Sequence, residues 1–209
     1  MTAAADSRFA PEQFFPLAAA RLKPEPDLEA PVGDHILNPG FPLDGIKFTD
    51  AAVLIPVVAR RPASVILTKR TPNLSAHAGQ ISFPGGKIDP HDLGPAAAAL
   101  REAQEEIGLD PAAVQVVGYL DPYLTGTGYR VVPVIGRVEP DSPLHINRDE
   151  VEDAFEVPLE FLMTETNHRR GSRVFNGRER HFYEMPFGER YIWGITAGII
   201  RGLYERIYG

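Results

Sequence analysis

Arg101, Glu102, Glu105 and Glu106 fall within six consecutive positions, ordered R-E-A-Q-E-E. On a helix each residue advances by about 100°, so carboxylates at i, i+3 and i+4 share one face. Three such groups repel one another in water, and a divalent cation bound across them turns that repulsion into attraction. Glu102 and Glu106, four apart, can share the cation; Glu105, one residue off, can join it or polarise a water. Arg101, four before Glu105, can hold that carboxylate in place. Donors that are all oxygen select a hard ion, Mg²⁺ or Mn²⁺ ahead of Ca²⁺. Mg²⁺ keeps several waters and shares phosphate oxygens, which indicates phosphate-ester or phosphoanhydride chemistry on water activated by the metal. Gly85-Gly86, just upstream, allows a backbone turn whose N–H groups cradle phosphates. Three glutamates alone more often mean only a solvated helix face.

The elements around this cluster are well punctuated. Asp92 or Gly94 can cap the helix, Pro95 suits its first turn, and Gly108 suits its exit. Ala96, Leu100, Ala103 and Ile107 form the expected buried stripe, with the glutamates turned roughly 130° away from it. Upstream, 51–59 and 64–69 read as a strand pair, and 71–94 as a turn-rich segment. Residues 11–22 read as a short helix limited by Pro16, and 24–46 as a loop. Downstream, 113–119 and 130–138 read as strands, 157–163 as a short helix and 172–184 as a hairpin turning at Asn176-Gly177. A last helix spans about 192–206. The interleaving of strands and helices predicts an α/β (α+β) fold with a mixed sheet between helices, as one domain over 1–209. Within it, 1–45 form an N-terminal extension.

Bulk properties exclude several classes. The 209 residues are 44% hydrophobic and 23% charged, a globular composition. A net charge of -7 argues against a nucleic-acid partner. With no cysteine there is no disulfide and no thiolate chemistry. The opening MTAAADSRFAPEQFF is not of signal-peptide type, and no apolar run approaches a membrane span. The expectation is a cytoplasmic protein acting on a small molecule, with no membrane partner.

The glutamate segment resembles the Nudix box, G-x5-E-x7-R-E-U-x-E-E-x-G-U with U aliphatic. Arg101 through Leu109 match it, allowing Ala103 at the first U. The front half departs from it: counting from Gly86, Asp92 stands where the box has Glu, and one extra residue precedes Arg101. That departure is similar to the coenzyme A pyrophosphatase subgroup, which carries a second motif, [LT]-x-K-R-x3-L-x2-H-x-G-x-[IV]-[SA]-F-P-G-G-x2-D. Residues Leu67 to Asp89 fit it, with Lys69, Arg70, His77, Gln80, Ser82, Gly85 and Gly86 inside the substrate segment 66–109. Tyr191 to Ala197 are similar to that subgroup's I-W-G-x-T-A. The resemblance covers roughly 45–207. It implies a Nudix α/β/α sandwich and Glu102 and Glu106 as metal ligands, with Glu105 a further ligand or water-activating group and Arg101 an orienting residue. The implied reaction is hydrolysis of the diphosphate of coenzyme A or its acyl derivatives to adenosine 3′,5′-bisphosphate and 4′-phosphopantetheine.

Other residues have two readings each. Lys69 and Arg70 point to opposite sides of a strand, and one could meet substrate phosphate or both could be a solvated strand end. His77, Gln80 and Ser82 could bind substrate or order their loop. In the acidic stretch 149–156, Glu150 is the first choice and Glu152 the second for a catalytic base from a downstream loop; the alternative is a solvated helix start. Arg169, Arg170, Arg173, Arg178 and Arg180 could attract a polyanion or protect a hairpin edge. Trp193 reads as core, and His168 and His181 lack ligand spacing. NADH, ADP-ribose and dinucleoside polyphosphates are the competing substrates. A nucleotide-binding module without hydrolysis is the rival class, although all three glutamates are kept. Replacing Glu106 by Gln is expected to leave the circular dichroism spectrum unchanged and abolish most turnover; near-normal turnover would remove Glu106 from the metal site.

Overall fold

The computed structural model describes residues 8–40, 45–72, 79–175 and 177–209. At its centre lies β2 (Thr49–Val58), an apolar strand covered on both faces. It runs parallel to β8 (Tyr129–Val138) in unbroken register from Thr49↔Tyr129 to Val58↔Val138. On its other side β2 has two neighbours in turn. Val57 and Val58 pair with the start of β3 (Ser64–Arg70), and Ala51 to Val53 pair with β5 (Gly85–Lys87). The two strands therefore splay apart toward Arg70, and the glycine turn fills the fork.

Beyond the fork β3 pairs with β4 (Ile81–Ser82) and, over most of its length, with β9 (Val151–Pro158). On the far side β8 carries β6 (Val114–Tyr119) and β7 (Tyr123–Leu124), and β1 (Val32–Gly33) adds to β7. The result is a mixed sheet of nine strands among the described residues. A second, antiparallel sheet comprises β10 (Arg169–Phe175), β11 (Arg178–Phe187) and β12 (Arg190–Trp193).

Alternation along the strands divides the interior in two. Ala52, Leu54, Val58, Ile66 and Val134 face helix α3 (Pro95–Ile107), and Ile55, Val57, Val65, Leu67 and Ile135 face the opposite side. There helix α1 (Pro11–Arg21) and the last long helix, α5 (Ile195–Tyr208), cover the sheet with Phe14, Phe15, Ile199 and Leu203. Two short helices, α2 (Asp34–Leu37) and α4 (Leu159–Leu162), complete the connections. The architecture is the expected mixed sheet between helices.

Several local expectations need correction. The buried side of α3 is Ala98, Ala99, Ala103, Glu106 and Ile107, whereas Ala96 and Leu100 are only partly covered. Ala96 and Leu100 still pack against the same cluster, and Glu106 joins the buried side, where it has polar partners. Residues 151–158 form a strand rather than a helix start, with Val151, Phe155 and Val157 buried at alternating positions. The segment 24–46 contains β1 and α2 within the expected loop. Pro16 does not limit α1: the carbonyl it leaves without an N–H belongs to Glu12, an exposed first-turn residue. Trp193 ends β12 and is only partly buried, so α5 begins after it.

The exit of α3 sets where the glutamates end. Gly108 adopts φ 66°, and a Cβ there would stand 2.7 Å from His145 Cβ and 2.9 Å from its backbone. Substituting Gly108 by Ala is expected to lower unfolding stability by about 1–3 kcal/mol through left-handed strain and this contact. An unchanged urea midpoint would contradict that placement.

Candidate active site

Arg101 ties the loop before α3 to the helix. Its Nε and Nη2 donate to the two carboxylate oxygens of Asp92 at 3.1 and 3.0 Å, a bidentate pair. Nη1 donates to Glu102 Oε1 at 2.9 Å and Glu105 Oε2 at 3.1 Å, and Nη2 also reaches the Lys87 carbonyl at 3.1 Å. The guanidinium holds the Asp92 carboxyl below the usual carboxylate range. Asp92, a mismatch when read along the chain, is thus the partner that fixes Arg101. Fixed fork geometry spends one arginine on three carboxylates and a carbonyl, which lysine could not do.

Glu102 projects against the glycine turn. A Cβ on Gly86 would lie 2.5 Å from its carboxylate carbon, so any other residue there would displace the Glu102 carboxylate. Burial raises the Glu102 pKa above its ordinary value, with Arg101 opposing.

Glu106 is buried, with 3% of its surface exposed. Gly85 N–H donates to its Oε2 at 3.3 Å, and Arg70 Nη1 stands 3.6 Å from its Oε1. Burial pushes its pKa up to about 7; Arg70 and the Gly85 N–H oppose this, while the charges of Glu102 and Glu150 add to it. Arg70 Nε is buried and finds no hydrogen-bond partner among the described residues. A carboxylate so enclosed carries its charge only with compensation.

The remaining candidates divide around this centre. Glu150 accepts from Asn147 Nδ2 at 3.3 Å, and its charge acts on both Glu102 and Glu106. Glu105 lies on the exposed side, 56% open at its side chain, and is paired with Arg101. Lys69 turns away from Arg70 and pairs with Glu152 at 3.0 Å. That contact draws Glu152 away from the carboxylate centre. Gln80 lines a cleft beside Lys69, and Ser82 Oγ meets Thr68 Oγ1 at 3.2 Å. His77 lies outside the described residues. The five arginines of 169–180 all lie on the second sheet, away from the glutamates in the register. Arg70 beside Glu106 is the contact the chain order least announces, because 36 positions separate the two numbers.

The family model for the NUDIX domain matches residues 48–176, which span the strands and helix that make this centre. The chain belongs to the Nudix family. It is 43% identical over 181 residues to Nudix hydrolase NudL of Cronobacter sakazakii, itself uncharacterized, with 83% of this chain and 90% of the relative covered. The corresponding NudL of Escherichia coli K12 is 41% identical over 174 residues, with 83% and 90% covered. Among solved structures, the NUDIX domain of Shewanella oneidensis NrtR in complex with ADP ribose superposes with a TM-score of 0.50 at 16% identity, covering 82% of this chain and 96% of that one. DR0079 from Deinococcus radiodurans gives a TM-score of 0.50 at 13% identity, covering 79% and 88%. Both structures show the fold. The chain is accordingly a Nudix pyrophosphatase, a hydrolase of nucleoside diphosphate derivatives. No helix among the described residues is long and apolar enough to cross a membrane.

Nudix hydrolases generally use divalent metal ions, and the donor chemistry here fits one. Glu102 and Glu106 offer hard oxygens from adjacent turns, and the buried Glu106 lacks a full counter-charge, with Arg70 standing 3.6 Å away. Among the described residues no three ligand side chains are already gathered as a shell, because Arg101, Gly85 and Arg70 hold the carboxylates.

The raised Glu106 pKa has a consequence for stability. The folded state holds the proton up to about pH 7, whereas an unfolded glutamate releases it near pH 4.5. Its stabilising share is therefore complete below pH 4.5 and lost as pH rises through 7. In EDTA, raising the pH from 5 to 8 is expected to cost the wild type about 2 kcal/mol more than Glu106→Gln. Parallel urea stability profiles for the two proteins would show that Glu106 titrates normally.

Proposed function

We propose that this Nudix hydrolase cleaves the diphosphate of coenzyme A or its acyl derivatives, releasing adenosine 3′,5′-bisphosphate and the (acyl-)4′-phosphopantetheine. The observation that supports this most directly is the contact between the two motifs. Arg70 and Gly85 belong to the segment 67–89 that resembles the coenzyme A subgroup, and both reach Glu106 of the Nudix box. The substrate segment and the acid are one unit.

In this reading Glu102 and Glu106 would hold Mg²⁺ or Mn²⁺, with Glu105 a further ligand or the water-activating group. An ion bound there would lower the pKa of water and offset charge on the phosphates. The chain's own residues do the rest. Glu105 or Glu150 takes the proton from the attacking water as its oxygen bonds to one phosphorus. The P–O bond to the bridging oxygen then breaks, and the electron pair leaves with the other phosphate. Arg101 keeps Glu105 and Glu102 oriented, and Arg70 places positive charge beside the developing anion. The motif further assigns substrate contacts to Gly85, Gly86, Lys69, His77, Gln80 and Ser82; Gly85, Lys69 and Ser82 would exchange their present partners Glu106, Glu152 and Thr68 for substrate. The cysteine-free composition fits a cytoplasmic setting.

Coenzyme A, NADH and ADP-ribose supplied at equal concentration with Mg²⁺ separate the readings. Release of adenosine 3′,5′-bisphosphate from coenzyme A is expected to outpace AMP release from the other two. Faster cleavage of NADH or ADP-ribose would replace coenzyme A as the substrate.

A further inference from the structure

The outward face of the second sheet is unlike the rest of this acidic chain. In its register Gly171 stands opposite Phe182, Arg173 opposite Arg180, and Glu184 opposite Trp193. Alternate residues of the three strands therefore share one face, which includes Arg169, Arg173, Phe182, Tyr191, Trp193 and Glu184, whose carboxylate accepts from the Tyr191 hydroxyl. The other face carries Met185 and Ile192 into the core. On the outward face the Arg173 guanidinium lies 4.8 Å above the Trp193 ring, 5.9 Å from Phe182 and 6.0 Å from Tyr191. Tyr191 stacks beside Trp193 at 6.2 Å and 24°, and Phe182 meets it edge-on at 5.3 Å.

Two features separate this face from ordinary surface. Arg173 pairs with the Tyr191 hydroxyl and the aromatic rings rather than with a carboxylate, although the chain carries seven excess negative charges. Protection of a sheet edge does not account for it either. The edge strand β10 leaves Val174 and Phe175 75% and 57% exposed, the opposite of a guarded edge. A flat ring capped by a guanidinium that no carboxylate neutralises instead matches a planar base next to an anionic group.

The face also continues into the neighbourhood of the reaction. Tyr191 and Trp193 line an open cleft of about 680 Å³ together with Lys69 and Gln80. Gln80 and Ile81, which also line the cleft, lead within five residues to Gly85, the residue whose N–H holds Glu106.

We infer that this arginine–aromatic face binds the nucleotide end of the substrate, an inference that rests on the coenzyme A reading for the identity of that end. The purine stacks on Trp193 and Tyr191, and the Arg173 guanidinium moves from the ring to the phosphate monoester on the ribose. Trp193 and Arg173 thereby determine specificity without touching the reacting phosphorus.

Trp193 is the single tryptophan of the chain, so its emission reports on this face alone. Adenosine 3′,5′-bisphosphate added to the full chain in EDTA is expected to quench that emission saturably, and 4′-phosphopantetheine at the same concentration is not. Losing one charge-assisted contact in Arg173→Ala should weaken the response about tenfold, with an unchanged circular dichroism spectrum. The same variant should raise KM for coenzyme A by a similar factor while kcat stays within about twofold. Quenching by 5′-AMP but not by the bisphosphate would uphold the face and refute the coenzyme A reading. Coenzyme A hydrolysis with a wild-type KM in Arg173→Ala, and no nucleotide effect on Trp193, would overturn the face and leave the substrate reading intact. Binding of oligoadenylate that tightens steeply with length would overturn it in favour of a single-strand nucleic-acid surface.

Discussion

A carboxylate kept almost wholly out of water is the constraint around which this molecule is arranged. Glu106 sits on the sheet side of α3, where an apolar residue would ordinarily pack. Enclosing it demands polar partners from elsewhere, and they come from the place where the central sheet opens. Had β2 and β3 stayed paired along their whole length, neither the Gly85 N–H nor the Arg70 guanidinium would reach the helix. The fork between the strands exists where the carboxylate needs it.

Arg101 performs the complementary task on the exposed side. By gripping Asp92 with two parallel hydrogen bonds it closes the 87–92 turn against the helix, and its third nitrogen orients Glu102. Gly86 lets Glu102 approach the turn more closely than any side chain would permit. Turn and helix therefore behave as one rigid piece. Two of its acids differ in character: Glu106 is enclosed, whereas Glu105 is open to solvent and paired with Arg101.

Much of this was legible in the amino-acid order, and the misses have physical causes. Pro95 and Gly108 mark the ends of α3 because each has one backbone role that other residues fill poorly. The pair of motifs carried the family, and the apolar alternation carried the strands. What failed was any inference that needed long-range partners. Glu106 looked like surface because charge normally faces water, and only Arg70 and Gly85 make its inward position tolerable. Asp92 looked like a mismatch because its value lies in a contact with Arg101 nine positions on. The strand β9 was hidden by acids at its alternate positions, although Val151, Phe155 and Val157 kept a period of two. Trp193 was assigned to the core on hydrophobicity alone, which does not distinguish a packed ring from one capped by a guanidinium.

The parallel pairing of β2 with β8 bears on how the molecule comes together. Residues 49–58 and 129–138 are joined in register across an intervening stretch that contains the whole glutamate helix. Likewise β3 waits for β9, which is synthesised long after it. Non-local pairings of this kind are slow to form, since loop-closure entropy must be overcome before contacts reward it. The partners of Glu106, Arg70 and Gly85, precede α3 in the chain, whereas Val134 of β8 and Val151 of β9, which join the apolar layer under the helix, follow it. The polar side of the carboxylate's enclosure is thus local in sequence, and its apolar side depends on the long-range pairings that complete the sheet.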